Sequence, residues 1–141
     1  MKSIKLTTPI GKSIYPKFQP DYFFDKKGVY SCKLHVSKED FESFSKQVDA
    51  HVEKAYEAES EKQGKKIKRS AHTPLLITEE GDYEIRTKQP AKVETSKGEI
   101  EFTVALYDSK GQKLSPDTNV GSGSLVRCNV ELSTWYVTSQ G

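Results

Sequence analysis

The chain has 141 residues, of which 34% are hydrophobic and 30% charged, and its net charge is +2. This length fits one domain with a modest core, and the polar composition favours a small barrel with a wet working surface over a large enzyme. No apolar run approaches the roughly 20 residues that a membrane span needs, so we expect no membrane association. The net charge is too small to indicate a polyanionic partner by itself.

The N-terminal region combines a predicted strand with an aromatic segment. Ile4 to Thr8 alternates weakly between apolar and polar residues, which is typical of a strand. Tyr15 to Phe24 holds two prolines and five aromatic residues, too much proline for a helix or a central strand. We expect some rings to plug one end of a barrel and at least one to stay exposed as a stacking platform.

A strand and a helix follow. Val29 to Val36 alternates, and its inward set is Tyr30, Cys32, Leu34 and Val36. Ser37 is a favourable N-cap and Gly64 a favourable C-cap, and apolar residues between them recur every three or four positions. This pattern predicts an amphipathic helix over about 38–63. Its apolar stripe consists of Phe41, Phe44, Val48, His51, Val52, Ala55 and Tyr56.

The C-terminal half is predicted to be β-structure. Tyr83 to Lys88 alternates as a strand, and Phe102 to Tyr107 and Leu125 to Leu132 each have one apolar face. We expect the last two to be antiparallel partners in one wall of a small barrel or sandwich. Asp108 to Gly111 supplies a turn, and Gly121 to Ser124 a glycine bulge at a barrel corner.

The cysteines indicate a reducing environment. Cys32 and Cys128 each fall on the apolar face of a predicted strand, so we expect two buried, reduced thiols. Together with the missing signal peptide, this predicts a cytosolic location.

The order of motifs resembles a known family. A strand, DSKG, an extended loop, the glycine-rich GSGS, another strand and then Trp135-Tyr136 follow one another as in the single-stranded DNA-binding proteins of short-tailed bacteriophages. Upstream, KGVY and EKAYEA are similar to that family's N-terminal half in order and spacing. The resemblance covers residues 27–136. It implies a non-enzymatic protein that coats and protects single-stranded DNA in phage replication and recombination, in the cytoplasm of the infected bacterial host.

The expected architecture is mainly β: an OB-like antiparallel barrel of five to six strands with the helix packed on it, one domain over residues 1–141. Members of the family continue with a closing strand and an acidic tail, whereas this chain stops at Gly141, so we expect both to be absent. Where a tail exists, the resemblance implies replication partners such as the polymerase and the helicase-primase. An unclosed sheet edge favours a homodimer.

Two kinds of side chain predict a single-stranded DNA interface. Basic residues on outward strand faces and in the loop after DSKG can neutralise phosphates, and aromatic residues without a clear core role can stack on bases. The resemblance places Arg86 and Lys88, and Arg127 with Trp135 or Tyr136, on the DNA-contacting face. The complete predicted set is Tyr15, Lys17, Tyr22, Lys33, Arg86, Lys88, Tyr107, Lys110, Lys113, Arg127, Trp135 and Tyr136.

Two other functions remain open. The same barrel could bind a protein or RNA partner through the apolar segment Tyr15 to Phe24. A metal-dependent nuclease would need a carboxylate cluster, for which the candidates are Glu79, Glu80, Asp82 and Glu84. The histidines and cysteines lack metal-ligand spacing, so we expect no metal, no cofactor and no reaction.

Overall fold

The computed structural model describes residues 3–23, 26–66, 73–115, 118 and 120–133. Over these residues the chain forms nine strands and one helix. The strands are β1 Ile4–Thr7, β2 Gly11–Asp21, β3 Val29–Val36, β4 Leu75–Ile77, β5 Tyr83–Pro90, β6 Lys92–Thr95, β7 Gly98–Glu101, β8 Leu125–Val126 and β9 Asn129–Leu132. The helix, α1, spans Lys38–Gln63 between β3 and β4. The chain is therefore mainly β with one long helix, as predicted.

Seven of the nine strands form two antiparallel sheets that meet at a corner, and β6 and β7 form a separate hairpin. Five strands form the main antiparallel sheet, in the order β4-β5-β3-β2-β8, and β1 pairs with β9 just past β2 and β8. At the corner, the three residues 8–10 lie opposite the two residues 127–128. The extra residue on the N-terminal side bends the strand pair, as a β-bulge does. The Thr8 N–H donates to the carbonyl of Cys128, and the Thr8 hydroxyl accepts from the Cys128 N–H, both at 2.8 Å. The result is an OB-like fold, without a hydrogen-bonded closure of the barrel in the part of the chain described.

The core lies on the inner side of these two sheets. The inward set of β3 follows the prediction, since Tyr30, Cys32 and Leu34 are buried and Val36 is half-buried. The central cluster joins β3, the helix, β4 and β5, and consists of Cys32, Leu34, Phe44, Val48, Leu75 and Ile85. Burying a side chain of this size stabilises the fold by about 1.5–3 kcal/mol, so this cluster is a main source of stability.

The helix begins and ends where the capping residues predict. The Ser37 hydroxyl accepts from the Asp40 N–H at 3.2 Å, and Gly64 adopts a φ of 68° while its N–H donates to the Glu61 carbonyl at 3.1 Å. A left-handed C-cap of this kind favours glycine. No helix in the described residues is long and apolar enough to span a membrane.

One stripe of the helix packs on the inner face of the sheet. Phe44 and Val48 are buried in the central cluster, and the Phe41 ring lies 5.1 Å from the Tyr83 ring between centroids. The helix therefore covers the side of the sheet that carries the core.

The aromatic segment is part of a strand, and from Tyr15 onward it pairs, among the described residues, with β3 alone, which agrees with the prediction that proline keeps it out of a central strand position. β2 runs through Pro16 and Pro20 and lies between β3 and β8. Its register against β3 shifts on either side of Lys17, and Tyr15, in the first shift, has a φ of 46°. β8 pairs with only the first two residues of β2. The prolines thus lie at bulges, beyond the part of β2 that pairs on both sides, where a missing N–H costs least.

The strand predicted over residues 102–107 does not form. Its only sheet contact among the described residues is an isolated bridge between Tyr107 and Lys113. The predicted pairing with residues 125–132 is also wrong, because β8 pairs with β2 and β9 with β1. The alternation reflects burial in a loop instead, since Leu106 is only 9% exposed.

The two thiols are reduced and lie together in the interior. Cys32 is buried and Cys128 half-buried, and both line a cavity of about 300 Å³. The hydrogen bond with Cys128, together with burial, raises the pKa of Cys32. Cys32 therefore stays a protonated thiol at neutral pH, in agreement with the sequence-based expectation.

Candidate nucleic-acid interface

Cations lie side by side across three neighbouring strands of the main sheet. Lys33 of β3 is directly opposite Arg86 of β5. Ser31 of β3 is opposite Lys88 on one side and Lys17 of β2 on the other. Paired residues of antiparallel strands point to the same face, with Cβ atoms about 4.5–5.5 Å apart. Because Ser31 and Lys33 are two residues apart, both rows of cations share the outer face, about 7 Å from each other.

Lys12 extends this face toward the corner, because it pairs with His35, the next outward residue of β3. We define the cationic sheet face by Lys12, Lys17, Lys33, Arg86 and Lys88, all of which are exposed. Apart from Arg86, none of them forms an ion pair with any residue that the structure describes. Like charges directly across a sheet are destabilising, so this face attracts anions.

One carboxylate is buried within the cationic sheet face. The Glu84 side chain is 6% exposed, and its Oε2 accepts from Arg86 Nε at 2.7 Å. Its Oε1 lies 3.0 Å from His35 Nε2, and His35 Nδ1 lies 3.7 Å from Asp82. Burial by itself raises the pKa of Glu84, but the hydrogen bonds from Arg86 and His35 and the charges of Arg86 and Lys33 outweigh it, so this pKa lies below its ordinary value.

Exposed aromatic rings lie in and just after β2. Tyr15 is 75% exposed, Tyr22 55% and Phe23 82%, so the expectation of at least one exposed ring is confirmed. The Tyr15 N–H donates to Ser122 Oγ at 3.1 Å, which ties the first bulge of β2 to the glycine-rich loop. The Tyr22 ring packs over Gly28, where φ is +83° and an added Cβ would lie 2.9 Å from the ring. Rings held in this way present flat surfaces of the kind on which bases stack.

A separate turn gathers three predicted site residues. Tyr107, 59% exposed, and Lys113 are bridge partners on either side of it, and Lys110 lies at its tip. Asp108 Oδ1 accepts from the N–H groups of Lys110 and Gln112, both at 2.9 Å, which is the turn chemistry that DSKG predicts. The turn therefore presents one ring and two cations together.

Arg127 lies at the corner rather than among the cations of the sheet. It follows two residues after Leu125, the cross-strand partner of Lys12. The recess around it is formed with the first turns of the helix, including Asp40 and Ser43. The remaining predicted pair, Trp135 and Tyr136, lies outside the described residues, as do Phe24 and His72.

Two parts of this surface were missed from the sequence. Lys12 belongs to an acid-free N-terminal stretch, but only cross-strand register aligns it with His35. Glu84 and Arg86 are two residues apart on one strand face, a spacing that could have indicated their contact. No local pattern indicates that His35 contacts Glu84, because His35 lies on a different strand.

The carboxylates considered for a nuclease do not form a metal-binding cluster. Glu84 is held by Arg86 and His35, whereas Glu79 and Glu80 are exposed in the turn before β5. Within the described residues, no group of three or more His, Cys, Asp or Glu side chains is placed to hold a metal ion.

Fold and surface together define an OB-like β-protein with a cationic sheet face and exposed aromatic rings in and just after β2. No family model matches the chain. No curated protein matches it either. Among solved structures it is similar to the crystal structure of gp2.5, a single-stranded DNA-binding protein encoded by bacteriophage T7. The identity is 22% and the TM-score 0.73, over 96% of this chain and 82% of that one. The likeness shows a shared fold, which confirms the predicted resemblance at that level.

Proposed function

We propose that the protein binds single-stranded DNA and acts without catalysing a reaction. The observation that carries this proposal is the placement of Lys33 opposite Arg86, with Lys17 and Lys88 in the next row of the same face. Such an arrangement costs stability in the free protein, and a polyanionic backbone compensates it. The fold shared with a single-stranded DNA-binding protein supports the same function.

The mechanism is phosphate neutralisation combined with base stacking. The cationic sheet face neutralises the backbone, and the exposed rings of Tyr15, Tyr22 and Tyr107 stack on bases, each worth about 1–3 kcal/mol. Lys110, Lys113, Arg127, Trp135 and Tyr136 extend the interface. Every DNA sequence offers the same phosphates and a flat face on each base, so binding has little sequence preference. Bases already stacked in a duplex cannot use the rings, so single strands bind more tightly.

The biological role follows from this chemistry and from the resemblance. The protein coats and protects DNA strands opened during phage replication or recombination, in the cytoplasm of the infected bacterium. Where an acidic tail exists, the resemblance implies phage replication proteins as further partners, and an unpaired sheet edge favours a second copy of the chain.

Fluorescence of Trp135, the single tryptophan, provides the first test. The protein is titrated with oligo-dT and, separately, with duplex DNA at low and high salt, with a gel shift in parallel. We expect quenching by oligo-dT that weakens steeply with salt and is smaller with duplex. A flat titration together with no gel shift would contradict single-strand binding.

One observation favours a protein-binding role as the second candidate. Phe23 is 82% exposed, more than the other exposed large apolar or aromatic side chains of the described residues. A Phe23→Ala variant that loses a protein partner but keeps its affinity for oligo-dT would assign this ring to protein binding.

A further inference from the structure

Glu84 is an acidic residue on a surface proposed to bind phosphates. Its carboxylate sits within the cationic sheet face, where it repels a DNA backbone and, being 6% exposed, also loses most of its hydration. Burying a charge is unfavourable unless it is paired and hydrogen-bonded, and here both oxygens are occupied, by Arg86 and His35. The acid therefore has a structural partner on each side.

The contact with Arg86 has a specific geometry. Glu84 accepts from Nε, the donor nearest the backbone, at 2.7 Å. Among the residues that the structure describes, no other hydrogen bond to the Arg86 guanidinium is present, so its terminal donors remain unoccupied. The Arg86 side chain is 52% exposed. Its inner end is thus anchored while its outer end faces solvent.

His35 completes the anchor from the neighbouring strand. It holds the second oxygen of Glu84 at 3.0 Å and lies 3.7 Å from Asp82 on its other side. Arg86 of the same strand and His35 of the neighbouring strand both bind Glu84. The carboxylate therefore cannot move with Arg86 when that side chain changes its rotamer. A carboxylate fixed in this way fixes the arginine that it accepts from.

We propose that Glu84 is a positioning residue that orients the Arg86 guanidinium, so that its terminal donors meet one phosphate of the bound strand. This inference rests on the proposed single-stranded DNA binding. An arginine loses considerable rotamer freedom when it binds a ligand, and ordering it beforehand reduces that loss. The planar fork of donors also suits a phosphate with two oxygens in reach.

The sign of the effect makes the proposal testable. Removal of a negative charge from a phosphate-binding face should tighten binding if charge alone matters. If Glu84 orients Arg86, the affinity of Glu84→Ala for oligo-dT should instead fall about three- to tenfold. The salt slope should also decrease by about 0.7, the value of one lost phosphate contact on a single strand. The isosteric Glu84→Gln carries the same test where the alanine variant is poorly folded, and should lie between it and the wild type.

Glu80→Ala is the matched control, because it removes an exposed acid from the turn before the same strand. It should bind as tightly as the wild type or slightly more tightly. In an Arg86→Gln background, Glu84→Ala should cause no further loss of affinity, whereas a loss caused by general destabilisation would persist. The NMR signal of Arg86 Nε–H, observed without DNA, should exchange slowly in the wild type and quickly in Glu84→Ala.

Three results would contradict the positioning role of Glu84. Binding by Glu84→Ala or Glu84→Gln that is as tight as that of Glu80→Ala would overturn the positioning role, and so would a loss that survives in the Arg86→Gln background. A wild-type protein that binds no oligo-dT would overturn the proposed function and this inference together.

Discussion

At the scale of single residues, the outer face of the sheet holds several cations together with one buried carboxylate. Lys33 and Arg86 are cross-strand partners with like charge, and Glu84 lies two residues from Arg86 on the same face. One buried carboxylate relieves part of their repulsion without covering either cation. The surface can therefore stay folded while it keeps its attraction for an anion.

Glu84 also makes the stability of the fold depend on pH. Its folded-state pKa is lowered, so its contribution is fully present above the unfolded-state value near 4.5 and is lost as the pH falls through the lowered value. We expect the free energy of unfolding of the wild type to exceed that of Glu84→Gln at pH 6, and the difference to shrink below pH about 4.5. Urea unfolding from pH 3 to 7 measures this difference.

Arg86→Gln provides the comparison for this titration, because it removes a hydrogen bond and a charge that lower the pKa of Glu84. Its unfolding free energy should depend less steeply on acid pH than that of the wild type. A difference between wild type and Glu84→Gln that stays constant across the range would contradict the stabilising role of the charged carboxylate.

At the scale of elements, the corner decides the shape of the sheet. Residues 8–10 face residues 127–128 there, and Gly11 begins β2 immediately after the bend. A Cβ at Gly11 would lie 2.7 Å from Val36 Cγ1, 3.0 Å from the carbonyl oxygen of His35 and 3.2 Å from the Cβ of Leu34. Only a residue without a side chain lets β2 approach β3 this closely.

Gly11→Ala should therefore destabilise the protein by about 1–3 kcal/mol, because the backbone oxygen cannot move aside as a flexible side chain can. The control is Gly121→Ala in the glycine-rich loop, where an added Cβ meets nothing within 4 Å. It should change stability by less than about 0.5 kcal/mol. Urea unfolding of both variants compares them, and equal effects would show that the close approach at the corner is not limiting.

At the scale of the whole molecule, charge distribution matters more than net charge. The net charge of +2 gives little general attraction to DNA. The described structure collects several of the 22 basic residues on one sheet face and places others on the exposed side of the helix. The proposed function therefore depends on where the cations are.

Two triple variants separate distribution from net charge. Lys33→Gln with Arg86→Gln and Lys88→Gln removes three charges from the cationic sheet face, and Lys46→Gln with Lys54→Gln and Lys62→Gln removes three from the helix. Each leaves a net charge of −1. The slope of log affinity for oligo-dT against log salt should fall by about 2 in the sheet variant, at about 0.7 per phosphate contact, and stay unchanged in the helix variant. Equal slopes would contradict the assignment of the interface to this face.

Local patterns predicted much of the structure. Ser37 and Gly64 marked the ends of the helix because capping depends on residues close in sequence. The inward set of β3 followed from alternation, since successive side chains of a strand face opposite sides. The order of motifs along the chain indicated the fold shared with gp2.5.

Tertiary structure decided the pairing, and pairing built the candidate site. The prolines of β2 lie at bulges and where the strand pairs on one side only, which the sequence cannot show because both features depend on distant strands. Residues 102–107 had the alternation of a strand, but β8 pairs with β2 and β9 with β1 instead of with them. By itself, the sequence determined the position of the helix, the inward side chains of β3 and which basic residues point outward from the strands. Register alone placed Lys12, Lys33 and Arg86 side by side and brought His35 to Glu84, because hydrogen bonds between distant strands set register and leave no mark at short range.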